Sequence, residues 1–199
     1  PARITGAAEL LDGFDLLHIL RRETLEIVHD AVSPARFANI NERVITTGEV
    51  DCRLKPGMAV AILRECLVGI AALHRGGIVH CDLKPSNVMV KRTGQVKIID
   101  FGSAYWIGRP PATQPCTLEY AAPEILAGQR ATPQSDLASL GYMLIEMLSG
   151  LRPFAGLHFD EMLQAKLNIL ERLPALLPLE EFQFSESLIL LLRGLLHPD

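Results

Sequence analysis

Residues 78–102, IVHCDLKPSNVMVKRTGQVKIIDFG, constrain this chain more than any other stretch. Its short apolar runs read as buried strands, so two carboxylates, an asparagine, a histidine and Lys84 fall in the turns beside them. Asp82 opens one polar loop and Asn87 closes it, and Asp100 follows the strand-like run 96–99. Two acids and an amide on adjacent strand ends suit magnesium and phosphate oxygens, because hard oxygen ligands match a hard cation.

A chain of 199 residues can bury a full hydrophobic core, in one domain or at most two small ones. An apolar content of 49% and a formal charge of -4 fit a folded soluble protein, and the mildly acidic balance argues against a nucleic-acid partner. Cys52, Cys66, Cys81 and Cys116 form no CxxC pair, which predicts free thiols in a reducing, cytoplasmic compartment. No uninterrupted apolar run reaches membrane-spanning length, and residues 1–20 lack a basic-then-apolar signal order, so no membrane insertion is expected of this segment.

Three motifs carry a family resemblance. His80-Cys81-Asp82-Leu83-Lys84-Pro85-Ser86-Asn87 resembles the catalytic loop of eukaryotic-type serine/threonine protein kinases. Asp100-Phe101-Gly102 resembles their magnesium-binding triplet, and Ala122-Pro123-Glu124 the triplet that closes their activation segment. The likeness runs from about Met58 to Asp199, with a looser match near residues 10–22. It implies an α+β, mainly α fold: a protein-kinase-like C-terminal lobe whose short β-hairpins carry the catalytic and DFG loops.

The resemblance also implies roles. Asp82 would be the base that orients a serine or threonine hydroxyl of a protein substrate and accepts its proton, with Lys84 offsetting charge on the transferring phosphoryl. Asn87 and Asp100 would hold ATP through magnesium. Thr117 would brace the substrate platform near Asp82 and Lys84. His80 and Phe101 are expected to stack, Gly102 to give backbone freedom, and Asp136 to pin the catalytic-loop backbone. Glu124 implies a basic partner, expected beyond the end of the chain. Cys81 stands where the family commonly has an arginine that grips a phosphorylated activation loop, so control by that route is not expected. A redox role for Cys81 has no support from a lowered pKa. Thr113 is the candidate modification site in the proline-rich loop 103–118.

Elsewhere the pattern predicts helices. Residues 58–74 form a long one, read as the central post, with Met58, Ile62, Cys66, Ile70 and Leu73 on one face and a glycine stop after His74-Arg75. Ser135 caps the next, over 135–148, with Asp136 in its first turn and Gly150 beyond its end. A helix over 160–173 is broken at Pro174, and a last one covers 185–196. The predicted core comprises Ile62, Cys66, Ile70, Leu73, Val88, Val90, Ile98, Leu140, Leu144 and Leu148. Residues 9–13 read as the end of an interlobe linker and 14–22 as a first small helix, with an unrelated surface helix equally consistent. Residues 23–57, with strand-like runs at 25–28 and 44–47, read as an atypical insertion or linker.

No Gly-x-Gly-x-x-Gly precedes Ile78, and Lys55, beside Pro56, has no strand-like context. The expectation is a partial kinase domain over 1–199, the helical lobe alone. The missing N-lobe would be its partner in a longer, active parent, and the fragment itself would be inactive. The alternative is a pseudokinase-like scaffold or protein-interaction lobe. A small-molecule phosphotransferase would share the two aspartates but generally lacks the 117–124 platform.

Overall fold

The computed structural model describes residues 13–16, 20, 53–91, 94–177 and 186–197. The strand-like runs at 25–28 and 44–47, most of the 23–57 insertion, residues 9–12 of the 9–13 linker and Cys52 lie outside the described residues, as do 17–19 and 21–22 of the predicted 14–22 helix, whose start, Phe14 and Asp15, is strand instead. Helices dominate, as in the α+β kinase lobe expected. Along the chain come β1 (Gly13–Asp15), α1 (Pro56–Arg75), β2 (Ile78–Val79), β3 (Val88–Lys91), β4 (Val96–Ile98) and β5 (Tyr105–Trp106). Then follow α2 (Pro123–Leu126), α3 (Pro133–Ser149), α4 (Phe159–Leu167), α5 (Ile169–Leu176) and α6 (Glu186–Leu196).

The helix predicted over 58–74 is α1. Pro56 starts it with a pre-set φ, Ala59, Ile62, Leu63, Cys66 and Ile70 bury one face, and His74-Arg75 complement the negative end of the helix dipole. Gly77 then takes φ +75°, open to glycine at little cost. Among the described residues α1 alone is long and apolar enough to cross a membrane by length and composition. In this fold its buried face packs on α3 and β4, and Arg64 and Glu65 interrupt its apolar run with an exposed ion pair at 3.1 Å.

The central post is α3 rather than α1. Fourteen of its residues are buried, against five in α1, because α3 is enclosed all round while α1 keeps a solvent face. Its N-cap is Thr132, three residues before the predicted Ser135. The Ser135 N–H reaches the Thr132 hydroxyl at 3.4 Å, and the Ser135 hydroxyl accepts the Thr132 N–H at 2.9 Å. Gly150 ends the helix at φ +69°. Gly141 lets α6 approach: a Cβ there would lie 2.6 Å from Leu196 Cδ2.

The predicted helix over 160–173 is two helices. The break falls at Asn168 (φ -103°, ψ 17°), whose amide donates to the Gln164 carbonyl at 3.0 Å. Pro174 lies inside α5 instead of ending it. So near the end of a short helix, proline forfeits a single intrahelical bond. The last predicted helix is α6.

Among the described residues two small antiparallel sheets carry the loops, in the order β1-β3-β4 and β2-β5. Among the described residues only β3-β4 is a hairpin, with Val88 opposite Ile98 and Val90 opposite Val96. The second expected hairpin is replaced by a long-range pair, Ile78 with Trp106 and Val79 with Tyr105, which closes the stretch 80–104 at both ends. Ile62, Cys66, Ile70, Val88, Leu140, Leu144 and Leu148 are buried as predicted, joined by Leu16 and Leu20. Leu73, Val90 and Ile98 pack against this core only partly buried.

Candidate active site

Residues 80–84 run from β2 into a 3-10 turn, Pro85–Asn87, which opens with Pro85 and delivers Asn87 to the start of β3. The Ile99 N–H bonds the Asn87 carbonyl at 3.0 Å, extending the β3-β4 ladder by one step and leaving Asp100 just beyond its mouth. The hairpin register therefore brings Asp82, Asn87 and Asp100 to one end of the sheet.

Asp82 is the hub. Its Oδ1 accepts the Thr117 N–H at 2.9 Å and the Thr117 hydroxyl at 2.7 Å. Its Oδ2 takes the Lys84 ammonium at 2.8 Å and the Asn87 amide at 3.3 Å. The Lys84 ammonium also donates to Thr117 Oγ1 at 2.9 Å, and the Asn87 amide to the Asp82 carbonyl at 2.8 Å. Four donors from three directions hold the carboxylate in one orientation, which is what precise proton abstraction requires.

Below this hub, Asp136 accepts the N–H of His80 at 2.9 Å and that of Cys81 at 2.9 Å, and meets His74 Nε2 at 2.8 Å. Cys81 has φ +70°, strained for a residue with a Cβ, and the buried Asp136 carboxylate secures it by taking its N–H. His80 is buried. Its Nε2 lies 3.2 Å from the Ile99 carbonyl and the Asp82 N–H is 3.4 Å from Nδ1, a pattern that fits one neutral tautomer. The His80 and Phe101 rings meet at 5.2 Å, tilted by 58°. The Cys81 thiol is pushed up to about 12 by burial and then by the neighbouring Asp136, Cys116 and Asp82. Such a thiol stays protonated, which argues against nucleophilic or redox chemistry there.

Asp100 is exposed at φ +59°. Its Oδ1 accepts the Gly102 N–H at 3.2 Å, the local bond that lets aspartate tolerate this conformation. A Cβ on Gly102 would crowd that oxygen at 3.1 Å, so glycine here makes room for the turn as well as giving freedom. Because the Asn87 nitrogen faces Asp82, its amide oxygen is turned away from it. An amide oxygen and a carboxylate fit magnesium, which takes few protein ligands and completes its shell from phosphates and water.

The strip after Thr117 is clamped. Tyr120 and Ala121 N–H groups both bond the Thr117 carbonyl at 2.9 Å. The Ser139 hydroxyl donates to the Tyr120 carbonyl at 2.8 Å, the Tyr120 hydroxyl donates to Glu146 at 2.6 Å, and the Lys166 ammonium donates to the Glu119 carbonyl at 2.8 Å. Glu124 accepts the Ser135 hydroxyl at 2.5 Å and edges a cavity of about 370 Å³ lined by Ala127, Leu163, Leu167 and Leu196. His74, Glu146 and Lys166 were not singled out from the sequence. Each is nevertheless a polar residue on a helix face that is otherwise apolar, and that mismatch is a readable signal.

The protein kinase domain family model matches residues 20–199. The chain is 43% identical over 108 residues to serine/threonine-protein kinase PknA of Mycobacterium tuberculosis, covering 52% of this chain and 25% of that protein. It is 40% identical over 105 residues to mitogen-activated protein kinase kinase kinase 18 of Arabidopsis thaliana, covering 51% and 31%. A third relative, striated muscle preferentially expressed protein kinase of Danio rerio, is 36% identical over 157 residues, covering 73% and 5%. The matched stretches thus span between 5% and 31% of these relatives' lengths.

Proposed function

The chain belongs to the protein kinase family, and from that premise we propose that the full-length protein transfers the γ-phosphoryl group of ATP to serine or threonine hydroxyls of protein substrates. The observation that carries this reading is the single network joining Asp82, Lys84, Asn87 and Thr117. Asp82 is the base: it orients the acceptor hydroxyl and takes its proton late, when bond formation to phosphorus has made that proton acidic. Lys84 sits 2.8 Å from Asp82 and offsets charge on the transferring group. Thr117 ties both to the strip on which the acceptor peptide lies.

Asn87 and Asp100 are the proposed magnesium ligands, with ATP held through the metal. Bound there, magnesium would neutralise the phosphate oxygens as charge develops. The 199 residues contain no glycine-rich phosphate loop before Ile78, so we assign this chain to the larger, helical lobe of the domain. The N-lobe groups would come from elsewhere in the full-length protein, leaving the isolated chain inactive. A reducing compartment such as the cytoplasm is proposed from the four cysteines, which form no CxxC pair.

Calorimetric titration of magnesium–ATP into the full-length protein tests the site. Binding is expected, with loss on Asp100→Ala. A folded full-length protein that binds no nucleotide overturns the reading and leaves the scaffold alternative.

A further inference from the structure

Lys166, in the last turn of α4, is only 2% exposed, although lysines ordinarily keep their ammonium in water. Its nitrogen lies 4.2 Å from the Tyr142 ring centroid and 4.0 Å from that of Phe154. The two rings meet edge to face, centroids 4.9 Å apart at 82°. This aromatic slot would accept an apolar side chain of similar length without the cost of desolvating a charge. What the ammonium adds is a directed hold on one peptide unit, the Glu119 carbonyl at 2.8 Å.

That peptide unit lies two residues beyond Thr117, the residue bonded to both Asp82 and Lys84. The helix α3 already holds the next residue, through Ser139 on the Tyr120 carbonyl and Glu146 on the Tyr120 hydroxyl. Lys166 supplies the corresponding hold from α4. With Thr117 fixed to the hub at one end, a clamp at Glu119–Tyr120 sets the direction of the strip between them.

We propose that Lys166 is a positioning residue for the acceptor peptide, fixing the Glu119 carbonyl so that the 117–121 strip is aligned with Asp82; this rests on the phosphoryl-transfer reading above.

Burial pushes the ammonium down from its ordinary 10.5 to about 7, while Cys116, Glu119 and Glu124 draw it back up. The groups facing it are Cys116 and Glu119 from the strip, Glu124 from α2 and the Tyr142 phenol from α3, with Arg152 4.0 Å from the Glu119 carboxylate. Burial raises both the Cys116 thiol and the Tyr142 phenol, so these stay neutral near pH 7 and the carboxylates are the negative neighbours. As pH rises through neutrality the hold weakens from a charged donor over two aromatic faces to a neutral one.

The test is Lys166→Met in the full-length protein, since methionine fills the aromatic slot without a donor. The acceptor-peptide KM is expected to rise about tenfold, the worth of one charge-assisted hydrogen bond, with the KM for ATP unchanged. The peptide KM of the unsubstituted protein is expected to rise between pH 6 and pH 8, and that rise should vanish in the variant. A well-folded variant with unchanged peptide KM and an unchanged pH profile overturns the proposal. If Lys166→Met does not fold, Phe154→Leu serves instead: removing one cation-stabilising ring should move the pH midpoint of peptide KM downward, and an unmoved midpoint counts against Lys166. Should the unsubstituted protein phosphorylate no serine or threonine peptide, the kinase reading fails on its own. Hydrogen exchange at the Tyr120 and Ala121 amides then decides the clamp, faster in Lys166→Met if it holds and unchanged if it does not.

Discussion

Thr117 and Asp82 are joined twice through one oxygen: Asp82 Oδ1 accepts both the N–H of Thr117, at 2.9 Å, and its hydroxyl, at 2.7 Å. The residue proposed to brace the peptide strip and the residue proposed as base therefore cannot move independently. Substrate-strip order and catalytic-loop order become one property of the molecule.

Thr117→Ala leaves the N–H bond but removes the bridge between Asp82 and Lys84. We expect kcat to fall about tenfold to a hundredfold, because a charge-assisted hydrogen bond is lost on each side, with little change in thermal stability. Thr117→Ser, which keeps the hydroxyl, should recover most of the rate. Steady-state kinetics of the two variants check this, and equal activity in all three proteins would remove Thr117 from the mechanism.

Asp136 is 1% exposed and carries two backbone N–H groups and His74. Asp136→Ala should cost about 3–5 kcal/mol in urea unfolding, since it strands buried donors and releases the positive-φ Cys81. Because the substituted side chain touches no proposed substrate position, residual folded protein should keep its nucleotide affinity while losing kcat.

Much of this was legible because the motif residues sit where the chain has little choice. Asn87 and Asp100 flank runs that can only be short strands, and one hairpin register then makes them neighbours. What was not legible depends on non-local packing. Ser135 has the chemistry of a cap but sits three residues inside α3, because Pro133 takes the first position and Thr132 the cap. Pro174 reads as a helix breaker, yet Asn168 ends α4 and the proline rides in α5. Lys166 stands out along α4 as a polar residue on an apolar face, but what it packs against does not: Tyr142 comes from α3 and Phe154 from the turn after it, partners that local spacing along α4 does not report.

Lys166 also leaves a mark on stability. Its folded value near 7 lies below its ordinary 10.5, so between those pH values the unfolded chain binds more protons than the folded one. The burial cost is fully present below about pH 7 and is relieved as pH rises towards 10.5. Unfolding free energy relative to Lys166→Met should therefore climb from pH 7 to pH 9. Parallel urea curves for the two proteins across that range would mean the amine is not held as the structure shows.

Cys81 offers a chemical test of the loop. With its thiol raised from 9.0 to about 12, the thiolate fraction at pH 7.5 is about a thousandfold below that of an unperturbed cysteine. Iodoacetamide should alkylate Cys81 correspondingly slowly in the native protein and at the ordinary rate after unfolding. Rapid native-state labelling at Cys81, mapped by peptide mass, would contradict the packing of residues 80–82.

The most direct measurement is phosphoryl transfer from radiolabelled ATP to a serine- or threonine-containing peptide by the full-length protein and by its Asp82→Asn variant. The account predicts stable label on the hydroxyl amino acid, and a rate about a hundredfold to ten-thousandfold lower in Asp82→Asn at unchanged ATP affinity, the range set by loss of a general base. Equal rates in the two proteins, or no transfer by a folded full-length protein that binds ATP, would contradict it.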